Sequence, residues 1–158
     1  GTAFFLISAL FEKNNLKDEL YKYLDIVAIG TVADIVPLLK ENRIFVKEGL
    51  EYLRRSKWLG INMLIKKIFE DYETRKFNTY DIGFIIAPIF NAAGRLEDAK
   101  RAVELFIERD HRVCSTIISE LLSKNSERKE IQEDIFQKAV EKIENPYKGI
   151  FQLKVLLF

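Results

Sequence analysis

The sequence predicts a mostly α-helical chain that closes on a β-strand, and three observations carry the prediction. Apolar residues recur at three- and four-residue spacing along most of the 158 residues, the signature of helices with one buried face. One such run, opening at Asp110 and broken by Asn145-Pro146-Tyr147-Lys148-Gly149, would make a helix roughly 50 Å long. After that break Leu153, Val155 and Leu157 alternate, as a strand with one buried face requires.

Phe4, Phe5, Ile7, Leu10 and Phe11 predict a buried helix over residues 2–12, ended by the polar stretch Glu12 to Lys17. Leu20, Tyr23, Leu24, Val27 and Thr31 then predict a helix from about Asp18 to Ala33, ending before Pro37, although the β-branched residues from Ile26 to Val32 leave a strand open. Val46, Leu50 and Leu53 mark a helix over 43–55. Ile61, Leu64, Ile65, Ile68 and Phe69 mark another, with Trp58-Leu59-Gly60 as the turn between them. Asn78 or Thr79 can cap a short helix that Pro88 stops, because the residue before a proline is pushed out of helical dihedrals. Asn91 to Leu96 reads as a loop. Ala99, Ala102, Val103, Phe106 and Ile107 define the next helix, and Asp110 caps the long one, whose apolar stripe thins between Ser123 and Glu130. A helix of that length predicts a bridge: residues 1–109 in one domain, 110–145 connecting, and 146–158 opening a second.

Composition narrows the function. An apolar content of 48% suffices for a packed core, and 25 basic against 24 acidic residues leave a net charge of +1, too small to attract nucleic acid or membrane at long range. Phosphate contacts must therefore be local. One cysteine, Cys114, and one histidine, His111, exclude a disulfide framework and a self-contained zinc site, and suit a reducing cytoplasm. No run is long and apolar enough to span a membrane and no leader opens the chain. Both ends read as cut, so a piece of a longer protein is expected.

Two constellations could carry chemistry. Asp34 lies in the apolar run Tyr23 to Leu38, at the negative end of the expected helix, where an unpaired charge is costly and a cation is favoured. Its partner is expected to be an arginine, Arg43 or Arg95, several backbone amides, or a divalent metal; oxygen ligands suit manganese or magnesium, with the other ligands supplied from elsewhere. In Asn91-Ala92-Ala93-Gly94-Arg95-Leu96, small residues before a helix start permit close backbone approach, Arg95 could grip a phosphate and Asn91 could donate to it. The alternative is a turn whose arginine pairs with Asp98 or Asp34. Lys124, Arg128, Lys129 and Lys138 interleave with Glu127, Glu130, Glu133 and Glu141 and read as a solvated face. His111 reads as a surface residue, Cys114 as a core thiol, and Trp58 and the phenylalanines as core rather than base-stacking residues.

The run Leu24 to Leu38, followed by Asn42-Arg43 and Gly49-Leu50, resembles the RecJ-type single-strand-specific exonucleases of the DHH phosphoesterase superfamily. Asp81-Ile82-Gly83-Phe84, Pro88, Asn91-Ala92-Ala93-Gly94-Arg95-Leu96, Asp98-Ala99, Asn125 and Arg128 continue the likeness in the family's order and spacing. The resemblance implies a parent of α/β class whose first domain holds two manganese or magnesium ions, and a long helix leading to a second domain that helps hold DNA. It implies that Asp34 is the last metal-binding aspartate, and that Arg95 with Asn91 sits against the backbone phosphate near the cut. Metal-activated water would then release nucleotides from the 5′ end of single-stranded DNA, in repair and recombination. The superfamily's first aspartates and its Asp-His-His triplet are not in this chain, so the 158 residues alone would be inactive. Ile89 stands where the family usually has an arginine. The implied parent is a cytoplasmic monomer with single-stranded DNA, and repair or replication proteins, as partners. Two rivals are a replication-complex scaffold that has lost its metal ligands and a DHH phosphodiesterase for short oligonucleotides or cyclic dinucleotides.

Overall fold

A computed structural model describes residues 2–92 and 96–144, and these are mostly helical. Helix α1 spans Thr2–Lys13 and a short α2 spans Lys17–Leu20. A 3₁₀ turn over Tyr21–Tyr23 then leads into α3, Leu24–Ala33. The run around Asp34 is thus helical, as its spacing predicts, but it is reached through separate turns rather than one helix from Asp18. α4 covers Lys40–Leu53 and α5 covers Leu59–Ile68, so Leu59 and Gly60 belong to the helix and only Trp58 precedes it.

Pro88 does not stop its helix. The turn opens at Thr79, winds as π-helix over Asp81–Ile86 and continues as α6 over Ala87–Ala92, so Asn91 lies in a helix rather than a loop. In an α-helix the Pro88 ring would collide with the Phe84 carbonyl and leave it without a donor. π winding shifts the bonding to the fifth residue on, as when the Ala87 amide meets the Ile82 carbonyl, and makes room for the ring just ahead of the proline. The start is secured by a reciprocal cap. Asn78 Oδ1 accepts from the Tyr80 amide at 2.8 Å, while Asp81 Oδ2 accepts from the Asn78 amide at 3.0 Å. Asp81 also receives Arg75 Nη2 at 2.7 Å, so this buried carboxylate is fully engaged in structure.

Helix α7 is Leu96–Ile107 and α8 is His111–Glu144, 34 residues as expected. Asp110 caps α8, its Oδ1 accepting the Arg112 amide at 2.7 Å. The expected strand and the opening of a second domain lie outside the described residues.

Two apolar clusters hold the helices together. Ala28 and Ile29 of α3, Val46 and Leu53 of α4, Ile61 and Ile65 of α5, and Ile82 and Ile86 of the π segment form the first. Leu64, Ile89, Leu105, Cys114, Ile117, Ile118 and Leu121 form the second, between α5, α6, α7 and the first half of α8. Gly49 and Gly60 permit the closest crossings: a side chain on Gly49 would collide with the Leu24 carbonyl, and one on Gly60 with Leu105.

Several burial expectations change. In α1 only Phe4 is buried, with Phe5, Leu6 and Leu10 exposed. In α7 Leu105 enters the core while Val103 and Ile107 face outward, because the close crossing at Gly60 selects the Leu105 face. Residues 126–139 of α8 are exposed throughout, where the apolar stripe thins and beyond. No helix among the described residues is long and apolar enough to cross a membrane.

Candidate metal and phosphate site

Helix α3 ends in a turn that satisfies its last carbonyls. The Val36 amide bonds to the Thr31 carbonyl at 3.1 Å and the Ile35 amide to the Val32 carbonyl at 3.1 Å, the paired closure of a Schellman motif. That motif requires a left-handed residue after the cap, normally glycine. Here it is Ile35, with φ of 54° and its side chain 88% exposed. A β-branched residue in this region is strained by about 1–2 kcal/mol.

Asp34 is the cap residue immediately before this turn. Its side chain is exposed and has no hydrogen bond or ion pair with any described residue, Arg43 included. The expectation that it is enclosed by apolar neighbours is therefore wrong: the helix ends beneath it and lifts it into water. Among the described residues it is an unpaired carboxylate at the C-terminal end of α3, where the helix dipole favours a cation. As a hard oxygen donor with no competing partner among the described residues it fits one ligand position of a divalent ion. Among the described residues no group of three histidine, cysteine, aspartate or glutamate side chains could complete such a site, so the other ligands would come from elsewhere.

The buried carboxylate of this run is Asp25, only 1% exposed. Its Oδ1 accepts the Ile26 amide at 2.7 Å and Trp58 Nε1 at 3.3 Å, which ties the turn before α5 to the start of α3. Its Oδ2 is buried without a hydrogen-bond partner among the described residues. Burial pushes the Asp25 carboxyl above its ordinary range, against hydrogen bonds from Ser56, Ile26 and Trp58 and the Lys57 charge, which pull it down. Sequence reasoning missed this residue, though a signal existed. Asp25 is spaced three and four residues from Ala28 and Ile29, so a helix that buries those two also buries Asp25.

Asn91 is exposed in the last turn of α6. The π segment ahead of it packs against α3, with Gly83 facing Val32, so α3 and the helix that runs on to Asn91 meet at that segment. Arg95, with Asp98 as its alternative partner, lies where side chains are not described. Ile89 is 2% exposed and packs into the second core cluster. His111 is exposed and Cys114 is buried, where desolvation raises its thiol pKa, so neither adds to the site. Arg128 donates to the buried Asn125 at 3.2 Å and Lys138 to Asp134 at 2.6 Å, as a solvated, paired face requires. Not every phenylalanine is core: Phe84, Phe5 and Phe136 are exposed.

No protein-family model matches the chain. It is 38% identical over 157 residues to the single-stranded-DNA-specific exonuclease RecJ of Bacillus subtilis, across 99% of this chain and 19% of that protein. Identity to RecJ of Thermus thermophilus is 34% over 153 residues, across 97% of this chain and 22% of that protein. The crystal structure of Thermus thermophilus RecJ in complex with Mn2+ matches with a TM-score of 0.78 at 33% identity, over 92% of this chain and 22% of that one. Exonuclease RecJ bound to manganese matches with a TM-score of 0.76 at 34% identity, over 87% of this chain and 34% of that one. The chain thus spans about a fifth of the length of these curated relatives. Sequence and overall fold agree along that segment, and over it the chain is of the RecJ type.

Proposed function

We propose that this chain is part of a metal-dependent 5′-to-3′ exonuclease that degrades single-stranded DNA in repair and recombination, the 158 residues alone being inactive. The observation that carries the reading is Asp34: an exposed carboxylate with no partner among the described residues, at the end of α3, in a chain similar to single-strand-specific exonucleases, one of which is solved with Mg2+ and with Mn2+. Bound Mg2+ or Mn2+ supplies Lewis acidity at the scissile phosphate. Asp34 offers the ion one of its oxygen ligands. Arg95, with its fixed charge and paired donors, holds the phosphate as negative charge develops, and the Asn91 amide donates alongside it. In this reading residues 1–109 complete a catalytic domain, α8 bridges, and 146–158 open the second domain.

The rival scaffold reading draws on the exchange at position 89. Ile89 is accommodated as a core residue against α8, while Asp34 and Asn91 stay exposed, which favours the nuclease.

The test uses the full-length protein with 5′-labelled single-stranded DNA and Mn2+. Asp34→Ala is expected to abolish degradation and reduce Mn2+ uptake measured by calorimetry. Arg95→Ala is expected to lower turnover by about a hundredfold or more with a smaller loss of DNA binding. Undiminished activity in Asp34→Ala refutes its role as a ligand, and undiminished activity in Arg95→Ala refutes the phosphate role.

A further inference from the structure

Tyr80 and Phe84 form a pair that no other described residue covers. Their rings stack, with centroids 4.8 Å apart and planes 23° from parallel, yet they are 61% and 70% exposed. Neither belongs to a core cluster. The helix they stand on is well anchored, because Asp81, Ile82, Ile86 and Ile89 on its other side are buried. Further along the same continuous helix Pro88 is half-buried and Asn91 is exposed again in the last turn. From Phe84 to Asn91 the rise is about 10 Å, the span of about three stacked nucleotides.

The order of chemistry along this helix selects its occupant. A flat apolar ring surface at one end and an uncharged amide at the other match a nucleotide strand, which presents the apolar faces of bases beside a hydrogen-bonding phosphate backbone. An apolar protein surface laid along the same helix would bury the Asn91 amide without a partner, at a cost.

We propose that the Tyr80–Phe84 pair is a stacking platform for a base of single-stranded DNA whose backbone runs on to Asn91, an inference that rests on the exonuclease reading above. Such a platform favours single strands physically. In a duplex both faces of an internal base are covered by its neighbours, and presenting one to a protein ring requires unstacking. The grip is indifferent to sequence, because every base has a π-face.

The experiment measures equilibrium binding by the full-length protein, with EDTA present to prevent turnover, to a fluorescent dT oligonucleotide and to an abasic strand of equal length. Phe84→Ala is expected to weaken dT binding about tenfold or more and leave abasic binding unchanged. Phe84→Trp should retain parental affinity, and Phe84→Leu should behave like the alanine variant, since leucine keeps apolar area but has no π-face. Parental dT binding in Phe84→Ala overturns the platform, as does equal loss on both strands. Full affinity in Phe84→Leu also overturns it, and points to an apolar protein contact. If the parent degrades single-stranded DNA in Mn2+ and Phe84→Ala is unaffected, only the platform fails; if the parent neither binds nor degrades it, the exonuclease reading fails first.

Discussion

What an aspartate does depends on whether water reaches it, and Asp25 and Asp34 show both cases within ten residues. Asp34 stands in water at a helix end, while Asp25 is sealed beneath the turn that carries Trp58. Burial raises the Asp25 carboxyl above its ordinary 3.8, so the folded chain holds that proton more tightly than the unfolded chain does. Its contribution to stability is therefore complete below the unfolded value and is lost as pH rises through the raised folded value. Asp25→Asn keeps an acceptor for Trp58 and Ile26 and removes the titration. Thermal melts of the two proteins should diverge in favour of the variant as pH rises from about 4 towards neutrality. A difference that does not change with pH would show that Asp25 does not titrate in this way. Both residues are legible as carboxylates in an apolar run, and the spacing of Asp25 from Ala28 and Ile29 hints at its burial; what seals it, Ser56 and Trp58 some thirty residues on, is not legible.

At the level of elements, caps and breaks govern how much could be read. Asn78 and Asp110 are legible as caps because their action is local: each side chain reaches an amide two or three residues away. Pro88 misleads because its usual effect assumes α winding, and the π segment before it changes the bonding partner. The closure of α3 is the sharper case. Ile35 occupies a left-handed position that glycine adopts freely, and nothing in the Ile35-Val36-Pro37 string signals it. Ile35→Gly relieves that strain. The variant is expected to resist chemical denaturation by about 1 kcal/mol more than the parent, since an 88% exposed side chain gives up little packing. An unchanged or lowered midpoint would mean that Ile35 makes contacts that offset its backbone cost. The strain sits one residue from Asp34, so the same variant tests whether the tight turn sets the carboxylate's position: relaxed geometry should weaken Mn2+ uptake in the full-length protein.

The whole molecule divides along α8. Cys114, Ile117, Ile118 and Leu121 lock the first half of this helix to α5, α6 and α7, whereas residues 126–139 are exposed. Stability should therefore be confined to the first half. Gln132→Pro, in the exposed half, is expected to reduce helical circular dichroism while leaving the thermal midpoint within a few degrees of the parent; a proline interrupts its own helix locally at about 3 kcal/mol but removes no core contact here. A collapse of the midpoint would show that the far half of α8 supports the core. The helix's length and its thinning stripe follow from spacing alone.

Periodicity and local capping by themselves determined where α8 starts, most of the helical segments though not the one that runs on past Pro88, and that one carboxylate near residue 34 and one Asn-to-Arg motif merit attention, because these depend on neighbours within a turn or two. Tertiary structure alone decided that Asp34 meets water and Asp25 does not, that Leu105 and not Val103 enters the core, and that Tyr80 and Phe84 stay outside it. Those outcomes are set by which helix crosses which, at Gly49 and Gly60, between residues far apart in the chain. Burial is a property of the assembled surface, and no single segment carries it.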